Sequence, residues 1–168
     1  PTTILVKVSH VAARLDFSQF DVTLKGFEGN PTVVFDEAKF VNLQQNGKIV
    51  EGDASVNVKD GAFLNRSNRI GTKWTDMGTA YGYANQYKQD SEMNTALYVK
   101  FTVDGRTFEK TYPINPAGIT KEVDHNGIKG GYLYDIKVRW TITPDWGDST
   151  IEFYTRDWVH NSIPEVVL

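Results

Sequence analysis

This sequence predicts an all-β fold, an antiparallel β-sandwich, and three observations carry the prediction. Apolar side chains recur with period two in several stretches, most clearly from Tyr132 to Ile142. Asn-Gly and Asp-Gly pairs, at Asn46-Gly47 and Asp104-Gly105, separate such stretches. Helical periodicity is almost absent. Many short strands with Gly- and Asn-rich turns pack best as two sheets, with a closed barrel as the less favoured solution.

The elements follow in order. Ile4, Val6 and Val8 alternate with Leu5, Lys7 and Ser9, and the apolar face resumes at Val11, Ala13, Leu15 and Phe17, opposite Ala12, Arg14 and Asp16. That change of face predicts a bulge or bend near Ser9–His10. Phe20, Val22 and Leu24 alternate with Asp21, Thr23 and Lys25, which predicts a second strand ending at Gly26. Two hairpins come next. One joins Val41–Leu43 to Ile49–Val50 through Asn46-Gly47, and the other joins Leu97–Val103 to Arg106–Tyr112 through Asp104-Gly105. Both dipeptides accept the two positive φ angles of a type I′ turn, whose twist matches the strands it joins. Asn126-Gly127 is a third candidate turn.

Tyr132, Tyr134, Ile136, Val138, Trp140 and Ile142 share one face, and Leu133, Asp135, Lys137, Arg139 and Thr141 share the other. A half-buried antiparallel strand explains this pattern. Pro144 ends it, having no amide hydrogen to donate. A last strand sets Ile151, Phe153 and Thr155 against Glu152, Tyr154 and Arg156, running on to Trp158. Residues 53–96 break the pattern. Gly61, Gly71, Gly78 and Gly82 interrupt a stretch holding Trp74, Tyr81, Tyr83 and Tyr87. A stretch without regular alternation reads as a loop-rich insertion, with Gln86–Met93 as a short helix.

Composition narrows the function. One domain over residues 1–168 is the expectation for this length. Eighteen basic against 21 acidic residues, a net charge of −3, leave no basic excess for a phosphate backbone, which argues against nucleic acid as a partner. No stretch is long and apolar enough to read as a membrane-spanning helix. The absence of cysteine removes disulfides, thiol nucleophiles and thiolate metal sites together.

Catalytic constellations are equally scarce. His10, His125 and His160 lack the spacing that would aim two imidazoles at one metal. No G-x-S-x-G elbow occurs. Asp36 and Glu37 would point to opposite faces of a strand, and Glu122 and Asp124 lead directly into a turn, so both pairs read as solvated carboxylates. Asp145–Asp148 and Asp53, Asn57 and Asp60 are only fragments of a calcium loop. No catalytic residue, metal or cofactor is expected.

Two features remain. Trp74, Tyr81, Tyr83 and Tyr87 offer flat faces on which a sugar ring could stack, although packing of the insertion onto the sandwich is the favoured reading. After Trp158 and Val159 the chain continues through Ile163, Val166, Val167 and Leu168, an apolar run where domain ends are usually polar. Such a run is buried either on its own sandwich or in a neighbour. Pro164 restricts it to an edge strand or to two short ones.

Several segments resemble, in order, the C-terminal domain of the Bacteroidales (type V) fimbrillins. They are Ile4–Phe17, Tyr98–Phe101 with Thr111-Tyr112-Pro113-Ile114, Lys129–Val138 and Ile151–Val159. Lys129-Gly130 stands where that family usually has Arg-Asn, and residues 53–96 match none of its pattern. The resemblance implies a transthyretin-like Greek-key sandwich, the C-terminal domain of a two-domain pilin whose N-terminal domain is absent from this chain. It further implies a structural, non-enzymatic subunit of a fimbria attached to the outer membrane, with roles in adhesion, colonisation and virulence. The implied partners are other fimbrial subunits, including anchor and tip proteins, a maturation protease, and host or bacterial surface ligands. Ile163, Val166, Val167 and Leu168 would form a strand donated to a neighbour's groove, with Trp158 and Val159 as its hinge. Burial of five aliphatics contributes about 7–15 kcal/mol before the costs of association. The alternative is a tip adhesin or lectin-like module using the aromatic residues of 74–87.

Overall fold

The computed structural model describes residues 12–45, 58–59, 69–116, 125–145 and 148–157. Among the described residues nine strands follow one another: β1 (Ala13–Leu24), β2 (Val33–Val41), β3 (Leu43–Gln44), β4 (Val58–Lys59), β5 (Lys73–Gly82), β6 (Ala96–Val103), β7 (Arg106–Pro113), β8 (Tyr132–Ile142) and β9 (Asp148–Asp157). They form a four-stranded sheet in the order β5-β1-β8-β9, a three-stranded sheet β2-β6-β7 and a small ribbon β3-β4. The two larger sheets make the predicted all-β sandwich.

Period-two patterning converts directly into this architecture. In β8 the face of Tyr134, Ile136, Val138, Trp140 and Ile142 is buried, as alternation requires. Its pairing differs from the expectation on one side: β8 runs antiparallel to β9 but parallel to β1. The chain can bring β8 beside β1 in that direction because β2 and β5–β7 intervene in sequence. The Asp104-Gly105 hairpin forms as predicted. Val103 pairs with Arg106, and φ is 44° at Asp104 and 83° at Gly105.

The two strands expected on either side of Phe17–Phe20 are one. β1 is continuous from Ala13 to Leu24 and carries a bulge between Phe17 and Gln19. The extra residue, Ser18, resets the alternation, so that Leu15 and Phe17 before it and Phe20 and Val22 after it all face the core. A second strand is hidden in the segment expected to be loop-rich. β5 occupies Lys73–Gly82, with Trp74, Met77, Ala80 and Gly82 buried. Its register against β1 jumps from Gly78 to Thr75, and this irregularity removes the alternation by which a strand is recognised. Gln86–Met93 forms turns instead of the expected helix.

Phe20 is the hub of the core. Its ring lies 5.8 Å from Phe35 of β2, 5.4 Å from Phe101 of β6 and 5.3 Å from Trp74 of β5. Phe101 continues the aromatic chain to Trp140 at 5.0 Å, which places rings from both sheets in contact. Residues 69–72 cross between the sheets along one side. Phe35 donates its backbone N–H to Arg69 at 2.7 Å, and Val22 donates to Thr72 at 2.8 Å.

Candidate functional site

The aromatic residues singled out in the sequence separate in the folded chain. Trp74 is a core residue, 6% exposed, stacked on Phe20 and 5.8 Å from Phe35. Its ring is committed to joining the two sheets. Tyr83 and Tyr87 are half-buried in the loop that follows β5. Tyr81 alone stands out, 55% exposed on the outer face of β5.

Tyr81 pairs across the strands with Arg14, and Thr79 pairs with Asp16. Arg14 Nε donates to Asp16 Oδ1 at 2.9 Å, and Thr79 Oγ1 donates to the same oxygen at 2.7 Å. The hydrogen bond and charge of Asp16 hold the Arg14 guanidinium above its already high ordinary pKa, with Tyr81 adding to the effect. Period two put Arg14 and Asp16 on the face opposite Ala13 and Leu15, but nothing local showed that β5 would lie alongside and add Tyr81.

One end of the sandwich carries a second concentration of polar and aromatic groups. Asn42, at φ 55°, turns the chain from β2 into β3. Asn85 Nδ2 donates to Thr95 Oγ1 at 3.0 Å, and Thr95 Oγ1 in turn donates to the Asn42 carbonyl at 2.8 Å. Asn94 fixes the adjoining turn. It accepts from the Lys88 amide at 2.8 Å and donates to the Lys88 and Ser91 carbonyls at 2.7 and 2.9 Å. These amides satisfy a loop that lacks a strand ladder, which explains their density in the sequence.

At the same end His125, Tyr132 and Tyr134 cluster. The Tyr134 hydroxyl is 2.8 Å from His125 Nε2 and accepts from the Lys129 amide at 2.8 Å. Burial raises the Tyr134 phenol well above its ordinary pKa, and the Lys129 hydrogen bond opposes that shift. Lys129 Nζ lies 5.6 Å from the centre of the Tyr132 ring, and the His125 ring lies 4.6 Å from the same ring. His125 is therefore a packing residue at this end of the fold.

The carboxylate Asp36 accepts from Thr102 Oγ1 at 2.6 Å and pairs with Arg69 at 3.2 Å, while Glu37 is 3.9 Å from Lys39. Among the described residues no three His, Asp or Glu side chains come together as a group able to hold a metal ion. The change of face near Ser9–His10, the Asn46-Gly47 hairpin, and His10, His160, Glu122 and Asp124 lie outside the described residues. So do Trp158, Val159, Ile163, Val166, Val167 and Leu168. Before them in sequence comes β9, at the edge of its sheet among the described residues, where Asp157 pairs with Tyr132 at the end carrying the asparagine network.

No protein-family model matches the chain, and no curated protein does. Solved structures share its fold. A candidate cell adhesion protein from Parabacteroides distasonis superimposes with a TM-score of 0.69 at 19% identity, over 89% of this chain and 52% of that one. The tip fimbrial protein Mfa3 from Porphyromonas gingivalis gives 0.53 at 12% identity, over 89% and 52%. A candidate cell adhesion protein from Bacteroides eggerthii gives 0.51 at 16% identity, over 89% and 56%. The chain spans about half the length of the structures it resembles. It has the β-sandwich fold found in these fimbrial and candidate cell adhesion proteins.

Proposed function

We propose that this chain is a structural, non-catalytic domain of a cell-surface fimbria, working in adhesion outside the cell. The observation that carries the reading is the fold shared over 89% of the chain with a candidate cell adhesion protein at a TM-score of 0.69. In this reading the subunit joins others head-to-tail, and the fibre, attached to the outer membrane, supports colonisation and virulence. Ile163, Val166, Val167 and Leu168 form the donated strand, with Trp158 and Val159 as its hinge. Alternate side chains of such a strand fill pockets while its backbone completes a neighbour's sheet. A head-to-tail contact that does not close yields a filament. The placement of β9 supports the assignment, because among the described residues it lies at the edge of its sheet and leads in sequence towards the apolar run. Other fimbrial subunits, anchor and tip proteins among them, and a maturation protease are the partners in this reading.

The test compares the protease-matured parent subunit with a version ending at Val159, after circular dichroism has shown both to be folded. Electron microscopy and boiling-resistant ladders read the outcome. The truncated subunit is expected to form no fibres. Normal fibres from it would reduce the tail to an edge strand of its own domain.

A second reading, a tip adhesin for host or bacterial surface ligands, is favoured by the likeness to a tip fimbrial protein. It predicts binding on a glycan array that a Tyr81→Ala, Tyr83→Ala double variant loses. Array binding unchanged in that variant would remove these tyrosines from the reading.

A further inference from the structure

Sulfur occurs at only two positions in the chain. There is no cysteine, and the two methionines are Met77 and Met93. The fold treats them in opposite ways. Met77 lies on the core face of β5, 2% exposed, between Trp74 and Ala80 along the strand. Met93 is 45% exposed in the turn that leads into β6.

Backbone groups and amide side chains hold the Met93 turn. The Met93 N–H donates to Ser91 Oγ at 3.2 Å, and the Met93 carbonyl accepts from Asn85 Nδ2 at 3.1 Å. The neighbouring Asn94 is buried and donates to the Lys88 and Ser91 carbonyls. The Met93 thioether takes no part in these bonds. The turn is therefore fixed while its methionine side chain stays accessible.

A thioether reacts with hydrogen peroxide in a single two-electron step. A sulfur lone pair attacks one peroxide oxygen, the O–O bond breaks, and the second oxygen leaves as water after proton transfer. Sulfur is oxidised to the sulfoxide and the peroxide is reduced, one for one. The oxidant must reach the sulfur, so exposure selects the site. The product is polar as well. At Met77 it would place an unmatched acceptor in the core, whereas at Met93 the new oxygen is left in water.

We propose that Met93 is a site of oxidation by hydrogen peroxide, and that it takes up the oxidant while Met77 and the sandwich stay intact. The inference stands independently of whether the chain assembles into fibres.

Treatment of the full chain with dilute hydrogen peroxide, stopped with catalase and read by tryptic peptide mass spectrometry, tests this. Lys88 places the two methionines on separate peptides. In the folded chain Met93 is expected to gain one oxygen at least about tenfold faster than Met77, which is reached only when β5 opens. In concentrated urea the two rates should converge. The chain carrying Met93 sulfoxide should keep the circular dichroism spectrum and urea midpoint of the unmodified chain. Met93→Leu, a change to an exposed side chain, should abolish the fast reaction and leave the slow one. The proposal is overturned by comparable rates at the two methionines in the folded chain, by a Met93 that reacts only in urea, or by a lowered midpoint once Met93 is oxidised.

Discussion

Gly127 lies so close to Asn85 that a Cβ on it would come within 2.4 Å of the Asn85 carbonyl oxygen. The same atom would be 2.4 Å from the Tyr87 amide nitrogen. Gly127 also holds a left-handed φ of 74°, and its N–H donates to Asn115 Oδ1 at 3.2 Å. Beside it, Asn85 and Ile128 exchange backbone hydrogen bonds of 3.0 and 2.9 Å. The Asn-Gly pair read as a turn is thus also a close approach of two backbones, possible only without a side chain.

Gly127→Ala should therefore cost more than an ordinary left-handed glycine. Strain and overlap together predict a loss of about 3 kcal/mol. Gly105, at φ 83° with nothing within 4 Å of its would-be Cβ, is the control. Gly105→Ala should cost only the conformational strain, about 1 kcal/mol. Urea unfolding of both variants measures the difference, and equal losses would contradict the close-approach argument.

Trp74 should behave as a core residue when replaced. Trp74→Ala is expected to destabilise the domain by about 3–5 kcal/mol, because Phe20 and Phe35 both lose their contact with its ring. Trp74→Phe should cost clearly less. Denaturant midpoints followed by circular dichroism provide the check. A fully stable Trp74→Ala variant would return this residue to the ligand-binding candidates.

Tyr98 carries a pH signature. Its hydroxyl donates to Glu109 Oε2 at 2.7 Å. That bond, followed by burial and the negative charges of Glu109, Glu37 and Asp36, pushes the phenol up from 10.0 to about 12. The folded state therefore favours neutral Tyr98. The resulting stability is fully present below pH 10.0 and is lost as pH rises towards about 12. Ultraviolet titration of phenolate should show two late-ionising tyrosines, Tyr98 and the buried Tyr134, of which Glu109→Gln moves only Tyr98 to lower pH. An unchanged titration in that variant would show that Glu109 is not the cause.

Local chemistry was enough where each residue's neighbours in sequence decide its role. The strands Ala96–Val103 and Tyr132–Ile142 were legible because period-two burial follows from backbone geometry alone, and Arg106–Pro113 because a hairpin turn precedes it. The Asp104-Gly105 turn was legible because positive φ is a local demand on residue type. Arg14 and Asp16 could likewise be placed on the face opposite Ala13 and Leu15 without knowing the fold.

Tertiary packing decided the rest. The Ser18 bulge fuses two expected strands into β1, since one extra residue restores Phe20 and Val22 to the same core as Phe17. In β5 the break in register against β1 spaces Trp74, Met77 and Ala80 three apart, which conceals a strand from any reading by alternation. The separation of Trp74 from Tyr81 follows from that irregularity and from the sheet edge. One ring meets Phe20 on the neighbouring strand and Phe35 across the sandwich, and the other stands beside Arg14, largely exposed. Sequence alone determined the strand-forming pattern and the turn chemistry, because these obey local sterics. Which strands became neighbours, and hence which aromatic ring was buried and which exposed, depended on contacts between residues far apart in the chain.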